Sequence, residues 1–492
     1  MRTISIRQAA AQLGILVLCA CGDSSQPTRV PTQIAANGGT GQIASIGSQL
    51  PEALSVRVAD AAGDPVPGVS VTWSVIDGGG SIDPAASNTN SNGVASAQLT
   101  LGSTVGDQHA QAAVAGLTGS PVVFTATGTV PSNVTLQVLS GGNNVPERYT
   151  SDLWVHGSYA YTGTWGAFPR STNDGDVLKV WSLSASGAPS IVDSIKTSGI
   201  STVSDVQVSE DGQLLLFSTE FDPEGGVYLY SLADPAHPVF LDRALVAGGV
   251  HTATLAEISG GRYAFAARNP GASVPALLIY NVTDPANISL VATVPVPANY
   301  GIHDTFVRDG LAFVFAWDTG VIIYDVGNGR AGGSPSSPVE VSRLITSATG
   351  STSPEVHNGW WFHNPITGEK RYLFIGQEGA ANIGSTSSGD IHVVDVSDLA
   401  NPHEVAFFHL AGAGTHNFWM DEEKQILYAA YYNAGVVALD VSGTLSGNLS
   451  GRLLSQIRPG GNGNTFTWGV QLANGSLYAS DMLSGLWQLG TE

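Results

Sequence analysis

Charged residues are scarce in this sequence of 492 residues, and positive charge is the scarcest. Only 12% of the residues are charged, about half the usual share, and lysine occurs only at positions 179, 196, 370 and 424. The formal net charge is −21. Because contacts to a phosphate backbone need clustered Lys and Arg side chains, this composition argues against a nucleic-acid partner.

Cysteine and long apolar runs are also scarce. The only two cysteines are Cys19 and Cys21, so a mature chain without its leader has no intramolecular disulfide, and packing must stabilise the fold. No segment contains 18 consecutive apolar residues, which argues against a transmembrane helix. The sequence also lacks a G-x-S-x-G nucleophile motif, a phosphate-binding loop and a C-x-x-C pair, so the common signatures of hydrolases, nucleotide enzymes and thiol enzymes are missing.

The first twenty residues have the pattern of an export signal. Arg2 and Arg7 precede an apolar stretch over residues 9–20, which is too short to span a bilayer. The stretch ends in L-C-A-C, which resembles the bacterial lipobox. The resemblance implies a signal peptide over 1–20, lipidation of Cys21 and, with Gly22 next to it, sorting to the outer membrane. The alternative is an ordinary secretory signal with two incidental cysteines. Residues 21–36 are polar and contain proline, which predicts a tether.

Residues 37–129 show the alternation of apolar and polar residues that is typical of strands in a sandwich. Apolar side chains alternate over 54–58 and again over 69–75, with a dense turn signal between them. Six or seven short strands in about 90 residues match the size of an immunoglobulin-like domain.

The strings DAAGDPVPGVSVTW, NGVASAQLTLG and VVFTAT resemble the bacterial Ig-like group 1 domains of invasins and intimins. The resemblance implies a spacer or adhesion module at the cell surface, with Trp73 as the tryptophan of the core.

The remaining residues, 130–492, contain a repeat of about fifty residues. An apolar strand followed by a polar turn recurs with its last residue at 183, 232, 282, 326, 396, 441 and 489. The spacings are 49, 50, 44, 70, 45 and 48 residues, and the long one contains turn-rich insertions near 365–371 and 380–389. Seven anchors predict seven units, which is the pattern of a repeat architecture.

Several segments of this region, among them ADPAHPVFL and DVSDLANPHEVAFF, resemble LVIVD repeats. This family is presumed to form β-propellers on bacterial surface proteins, and no single activity belongs to it. Each unit also has the length of a four-stranded blade. The last unit ends after its third strand, and we expect residues 134–138 to supply the missing fourth strand and close the ring. The predicted fold class is therefore all-β: an immunoglobulin-like β-sandwich followed by a seven-bladed β-propeller.

The starts of the first strands place polar residues at one common blade position. The first strand of a blade lines the central channel, so these residues are predicted to share one mouth of the propeller. In chain order they are Ser151 with Asp152, Ser204 with Asp205, His251, His303, His357 and His416.

The second strand of each blade returns to the same mouth, and the residues at those positions are also polar. They are Glu220, Arg268, Asp318, Glu378, Tyr432 and Asp481. Three interpretations of the mouth remain open. Neutral imidazoles and carboxylates are ligands for a divalent transition metal, in which case ligands from adjacent blades would meet at the ion. The same groups suit a non-metal ligand or partner, or they only hydrogen-bond loops and water.

These patterns together predict a lipid-anchored cell-envelope protein whose Ig-like stalk presents a propeller. The predicted role is binding of a surface protein, a glycan or a small-molecule ligand at the mouth, and sugar rings can stack on Trp165, Trp360, Trp361 or Trp419. The alternative is a metal-dependent oxidase or hydrolase-like enzyme that uses the four histidines, with Glu378 or Asp318 as base. His363, His403 and His409 lie off the pattern and are predicted to be surface or packing residues.

Overall fold

The computed structural model describes residues 29–102, 104–129, 134–166, 174–184, 187–220, 223–268, 274–296, 301–347, 354–365 and 368–492. The chain divides into two compact units, one built mainly from residues up to 126 and the other mainly from residues 127–492. The predicted signal peptide, Cys21 and the first half of the predicted tether lie outside the described residues. In the described part of the chain, no helix has both the length and the apolar character that a membrane crossing requires.

The first unit is a sandwich of two antiparallel sheets with strand orders β1-β3-β7-β5 and β2-β9-β8-β4-β6. Its strands are β1 (Gln33–Gly38), β2 (Gln42–Ser45), β3 (Leu54–Ala59), β4 (Ser70–Val75), β5 (Ser81–Asp83), β6 (Ala86–Asn88), β7 (Val94–Thr100), β8 (Gly106–Ala113) and β9 (Val122–Thr129).

The core of the sandwich is formed by the alternating positions that the sequence indicates. Leu54, Val56 and Val58 of β3 are fully buried, and Trp73 is 4% exposed. Trp73 packs against Phe124 of β9 in the same sheet, with ring centroids 6.0 Å apart, which confirms its predicted place in the core. The predicted tether is too long at its end, because β1 begins at residue 33 and pairs with β3. Because β1 consists mostly of polar and small residues, its hydropathy pattern does not indicate a strand.

The second unit contains the remaining strands and one short 3-10 helix at Ser450–Arg452. The strands are β10 (Leu136–Gly141), β11 (Tyr149–His156), β12 (Tyr159–Trp165), β13 (Val177–Ser184), β14 (Gly187–Lys196), β15 (Thr202–Val208), β16 (Leu214–Glu220), β17 (Gly226–Ser231), β18 (Val239–Leu245), β19 (Val250–Ile258), β20 (Gly261–Arg268), β21 (Ala276–Asn281), β22 (Ser289–Pro295), β23 (Asp304–Arg308), β24 (Leu311–Phe315), β25 (Val321–Asp325), β26 (Val339–Leu344), β27 (Val356–Phe362), β28 (Tyr372–Gln377), β29 (Ile391–Asp395), β30 (His403–Phe408), β31 (Phe418–Asp421), β32 (Ile426–Ala430), β33 (Val436–Asp440), β34 (Gly447–Asn448), β35 (Leu453–Ile457), β36 (Thr467–Ala473), β37 (Ser476–Asp481) and β38 (Gly485–Thr491).

These strands form seven antiparallel blades, so the predicted propeller is confirmed. Blades 1 to 4 are β11–β14, β15–β18, β19–β22 and β23–β26; blade 5 is β27–β30 with the short β34 at its edge, blade 6 is β31-β32-β33-β35, and blade 7 is β36-β37-β38-β10. The seven repeat anchors lie at the ends of the third strands, and the longer spacing falls in blade 5, as predicted.

Burial follows the position of each strand in its blade. Every residue of the second and third strands of blade 4 is buried, whereas its outer strand β26 is half exposed. One buried apolar cluster spans each pair of neighbouring blades all the way around the ring, including the pair formed by blade 7 and blade 1. A blade therefore buries its two faces only when both neighbours are in place.

The ring closes through β10, as the sequence predicts. This strand precedes blade 1 in the chain, yet it forms the outer strand of blade 7, where Val138 lies opposite Leu489 of β38. The described strand covers 136–141, a few residues beyond the predicted segment. Chain segments more than 340 residues apart thus complete one sheet, and blade 7 has no unpaired edge at this position.

Inner strands are tied to their neighbours by side chains. Gln207 of blade 2 accepts the N–H of Leu255 and donates to its carbonyl in blade 3. Gln471 of blade 7 makes the same pair of bonds with Val155 of blade 1. These bonds satisfy backbone groups at the channel wall and set the position of each inner strand.

A buried carboxylate holds the turn after β25. Asp325 is fully buried, and its two oxygens accept N–H groups from Gly327, Asn328 and Ala331. Burial raises the pKa of the Asp325 carboxyl, but the backbone N–H groups outweigh burial and lower this pKa to about 2.

We expect Asp325→Asn to lower the free energy of unfolding by about 2 kcal/mol at neutral pH, because hydrogen bonds to a charged acceptor are lost. The folded pKa lies below the unfolded value of 3.8, so this stabilisation is complete above that value and is lost as the pH falls through about 2. Urea unfolding of both proteins at neutral pH and near pH 2 measures the difference. A difference that stays the same at both pH values would contradict this account.

Candidate functional site

The four histidines of the repeat meet at one mouth of the propeller. His251 and His357 lie at the starts of β19 and β27, His303 lies immediately before β23, and His416 lies two residues before β31. Ring centroids of successive histidines are 4.1 Å apart from His251 to His303, from His303 to His357 and from His357 to His416. Side chains that are more than 50 residues apart in sequence therefore form one continuous arc.

Register shifts between paired strands help to set the direction of these side chains. The pairing of the first and second strands shifts register at His251 and at His357, and equivalent shifts occur at the start of blades 1, 2 and 7. A β-bulge inserts one residue and turns its side chain away from the regular alternation. The repeated bulge thus directs residues at this blade position toward the mouth.

Two histidines of the arc and one carboxylate have the spacing of a partial metal coordination shell, and a third histidine lies beside them. His251 Nε2 lies 3.1 Å from His303 Nε2, and the Glu378 Oε2 atom lies 3.4 Å from His303 Nε2 and 3.7 Å from His357 Nε2. His303, His357 and Glu378 each offer a ligand atom within 4.8 Å of the others. Ligands held about 2.1 Å from one ion at tetrahedral angles lie about 3.4 Å apart.

Neighbouring groups fix the orientation of these donors. The Nδ1–H of His251 donates to Glu220 Oε1 at 2.9 Å, and the Nδ1–H of His416 donates to the carbonyl of Trp468 at 2.7 Å. Each bond leaves Nε2 directed at the arc, as in histidines that bind metals. The Tyr432 hydroxyl donates to Glu378 Oε1, which leaves Oε2 facing the histidines.

Burial keeps three of the imidazoles neutral. It lowers the pKa of His303, His357 and His416 well below the usual range, and the neighbouring imidazoles lower it further. Burial also disfavours the charged form of His251, but the charge and hydrogen bond of Glu220 outweigh it and raise the pKa of His251. Neutral imidazole is the form that binds transition metals.

Two of these histidines carry buried polar atoms without a hydrogen-bond partner. They are both ring nitrogens of His357, which is 2% exposed, and Nδ1 of His303. His303 stacks on Trp317 instead, with ring planes 19° apart. Leaving a buried polar atom unpaired costs about 1–3 kcal/mol, so such atoms call for an explanation in function.

A cavity of about 230 Å³ opens beside the arc. Its polar side is formed by His251, His303, His416, Glu378 and Tyr432. Its other walls are aromatic or aliphatic side chains, namely Trp165, Ala381, Ile383, Phe466, Trp468 and Met482. The cavity thus combines a few polar groups with apolar walls, which is typical of small-ligand sites.

Several residues predicted for the mouth do not line this cavity. Ser151 and Ser204 are buried, and Ser151 donates to the carbonyl of Val203 in the next blade. Arg268 donates to the carbonyl of Val274, and Asp318 lies outside the lining as well. Serine is too short to reach the arc, and the side chain of Arg268 folds back onto its own blade.

Asp152 and Asp205 face a second cavity, inside the channel, rather than the histidines. This cavity also measures about 230 Å³, and Asp304, Asn358 and Asn417 line it too. Burial raises the pKa of Asp152, and burial together with the charge of Asp152 raises that of Asp205. The sequence analysis did not assign Asp304, Asn358 and Asn417 to a site. Each of them directly follows a histidine of the arc and so shares one blade position with Asp152 and Asp205.

Four other histidines of the propeller lie away from the arc. His409 pairs with Asp390, His363 packs edge-on against Trp361, and His403 lies on an outer strand. His392, which the repeat pattern did not single out, is fully buried, and its Nδ1–H donates to Glu404 Oε1 at 2.8 Å. The three histidines predicted to lie off the site are thus placed away from the arc.

Comparison with known proteins identifies the family of the first unit. Residues 47–127 match the family of bacterial Ig-like domains (group 1), which confirms the resemblance seen in the sequence. No curated protein matches the chain. Among solved structures, the chain is similar to the β-propeller domain of Cps50 (Swd1) from Myceliophteria thermophila, with 11% identity and a TM-score of 0.48, over 71% of this chain and 99% of that domain.

Proposed function

We propose that the propeller mouth binds a divalent transition metal ion through His251, His303, His357 and Glu378, and presents it to a small ligand in the adjoining cavity. The observation that carries this proposal is the convergence of His303, His357 and Glu378, each of which offers a ligand atom within 4.8 Å of the others, with His251 Nε2 3.1 Å from His303 Nε2. Imidazole and carboxylate donors suit zinc, copper and iron, whereas calcium and magnesium prefer oxygen alone.

The surroundings of the four donors support the same conclusion. Glu220 orients His251 and the Tyr432 hydroxyl holds Glu378, and such outer contacts are typical of metal centres. An ion also gives the unpartnered Nε2 of His357 a partner. His416 completes the arc and faces the cavity, where its Nε2 can bind the ion or the ligand.

Elemental analysis of the purified protein tests the proposal directly. After dialysis against a weak chelator, we expect about one equivalent of a first-row transition metal per chain, and reloading with Zn²⁺ or Co²⁺ should restore it. Co²⁺ bound by two or more imidazoles has visible absorption, which reports the donor set independently. Failure to retain or reload any metal at micromolar concentrations would reject the proposal.

A second candidate function is catalysis at the same ion. The observation that favours it is the position of Glu378, whose Oε1 accepts from Tyr432 while the residue lines the cavity, so a proton acceptor lies beside the ligand space. Asp318, the other base considered from the sequence, does not line it. Turnover of ester or phenol substrates that requires the loaded metal, and that is lost in a Glu378→Gln variant which still binds the metal, would favour catalysis over binding alone.

We further propose that the protein is anchored by lipid at Cys21 in the outer membrane, with the Ig-like domain as a spacer before the propeller. The lipobox-like segment L-C-A-C supports the anchor, and the group 1 Ig-like match supports a bacterial envelope setting. We expect the protein in the membrane fraction of expressing cells, and Cys21→Ser in the soluble fraction. Equal membrane association of both forms would contradict a lipid anchor.

A further inference from the structure

The channel inside the propeller contains a second cavity that the proposed metal site does not use. It has a volume of about 230 Å³ and shares no lining residue with the cavity at the histidine arc. Its walls are the inner strands, which present alternate residues to the channel. The cavity therefore has two layers. The layer next to the histidine arc is polar and contains Asp152, Asp205, Asp304, Asn358 and Asn417. The layer farther from the arc contains Trp154, Gln207, Thr254, Phe306, Trp360, Trp419 and Gln471.

The charged residue types in the described lining of this cavity are all acidic. Asp152, Asp205, Asp304 and Glu210 line it, and no Lys, Arg or His is among the described residues of its lining. Asp152 is 7% exposed and accepts a hydrogen bond from Asn417, while Asp205 accepts the N–H of Ala253. Buried carboxyl groups at close range disfavour one another's ionisation, and a cation beside them stabilises the ionised form.

Aromatic rings form the other half of the wall. Trp360 lies 5.3 Å from Trp419 and 5.2 Å from Phe306, and Trp419 lies 5.9 Å from Trp154, all as ring-centroid distances. Four rings in sequence therefore border the same space as the carboxyl groups. Faces of aromatic rings attract cations, and ammonium groups with N-alkyl substituents also bury apolar surface against them.

The arrangement suits an organic cation better than a metal ion. Among the described residues, only His303, His357 and Glu378 bring three ligand atoms within 4.8 Å, so the channel carboxyl groups do not converge enough to hold one ion. Asn358, which is 3% exposed, adds an unpaired side-chain oxygen to the polar layer. The volume lies below the usual range of drug-sized pockets, about 300–1,000 Å³, which indicates a small ligand.

We propose that the channel binds a small organic ammonium ion, with its positive charge beside Asp152 and Asp205 and its alkyl groups on Trp154, Trp360 and Trp419. The site lies on the channel side of the histidine arc and does not depend on a metal at that arc. Its recognition rests on charge and on ring faces together, so a neutral molecule of the same shape binds less well.

Isothermal titration calorimetry with tetramethylammonium chloride tests this proposal, with tert-butanol as the neutral counterpart and sodium chloride to keep ionic strength constant. We expect tetramethylammonium to bind the full chain at least tenfold more tightly than tert-butanol. Asp205→Asn should weaken tetramethylammonium binding at least tenfold, and Trp419→Leu at least fivefold.

Two variants on outer strands of the propeller provide matched controls. Asp193→Asn in blade 1 and Phe240→Leu in blade 2 remove the same kinds of group without touching the channel, and both should bind within twofold of the wild type. If Asp205→Asn or Trp419→Leu loses the folded circular-dichroism spectrum, Asp152→Asn and Trp360→Leu take their place. Equal affinity for the cation and the alcohol, or wild-type affinity in the folded channel variants, would overturn the proposal.

Discussion

Replacing His357 with Ala is expected to weaken Zn²⁺ binding at the propeller mouth at least about 100-fold. Loss of an outer contact to a ligand already costs about 10–100-fold in metal affinity, and this change removes a ligand itself. His357 is buried between His303 and His416, so no other side chain can move in to replace it without disturbing the arc. Competition against a chromophoric chelator at fixed pH measures the affinity.

Graded variants separate a metal centre from a merely structural cluster. Glu220→Gln keeps the shape of the side chain that orients His251, and it should weaken Zn²⁺ binding by only about tenfold. His403→Ala removes an exposed histidine on the outer strand of the same blade as His357, and it should leave affinity unchanged. If His357→Ala, once shown to be folded, binds Zn²⁺ as tightly as His403→Ala does, the arc is not the metal site.

The second large effect concerns closure of the ring. We expect Leu136→Asp to lower the free energy of unfolding by at least about 4 kcal/mol, because it buries an unpaired charge at the seam. Leu136 is 6% exposed and belongs to the cluster between blades 6 and 7, together with Trp487 and Leu489. Detachment of β10 would also leave β38 as an open edge. Urea unfolding followed by tryptophan fluorescence measures the loss.

Val138 offers a matched control on the same strand. It is 42% exposed and lies opposite Leu489 in the sheet, so Val138→Asp keeps the backbone pairing and places its charge in water. We expect a loss of about 0.5–1 kcal/mol for this variant. Equal destabilisation by the two substitutions would show that strand pairing, rather than the buried seam, determines the stability of the ring.

Much of the architecture could be predicted because it depends on periodic patterns. Apolar third strands recur at nearly constant spacing, so the seven blades follow from the positions of residues such as Val326 and Val441. Closure by the segment near Leu136 follows from the missing fourth strand of the last repeat. The boundary at β1 was less predictable, because its polar and small residues carry no alternation of hydropathy.

The positions of the four histidines could also be predicted from the repeat. The identity of the carboxylate beside them could be predicted only in part. A shared blade position places His251, His303, His357 and His416 at one mouth whatever the side chains do. Whether Glu378 or Asp318 lies beside the histidines depends on how the backbone turns after the second strand of its blade, which is β28 for Glu378 and β24 for Asp318. The sequence pattern treated these two residues as equivalent, and only Glu378 enters the cavity.

The amino-acid sequence by itself determined the class of fold, the number of blades and the common level of the four histidines, because strand periodicity and repeat length act locally and add up along the chain. Only the tertiary structure decided which polar groups meet. Successive side chains of an inner strand point in opposite directions, so His303 borders the cavity at the mouth and Asp304 borders the cavity in the channel. Register shifts at the starts of β19 and β27 set the directions of His251 and His357. The direction of each side chain depends on how the first strand pairs with the second strand and on contacts with the neighbouring blade. A local sequence pattern contains no information about either.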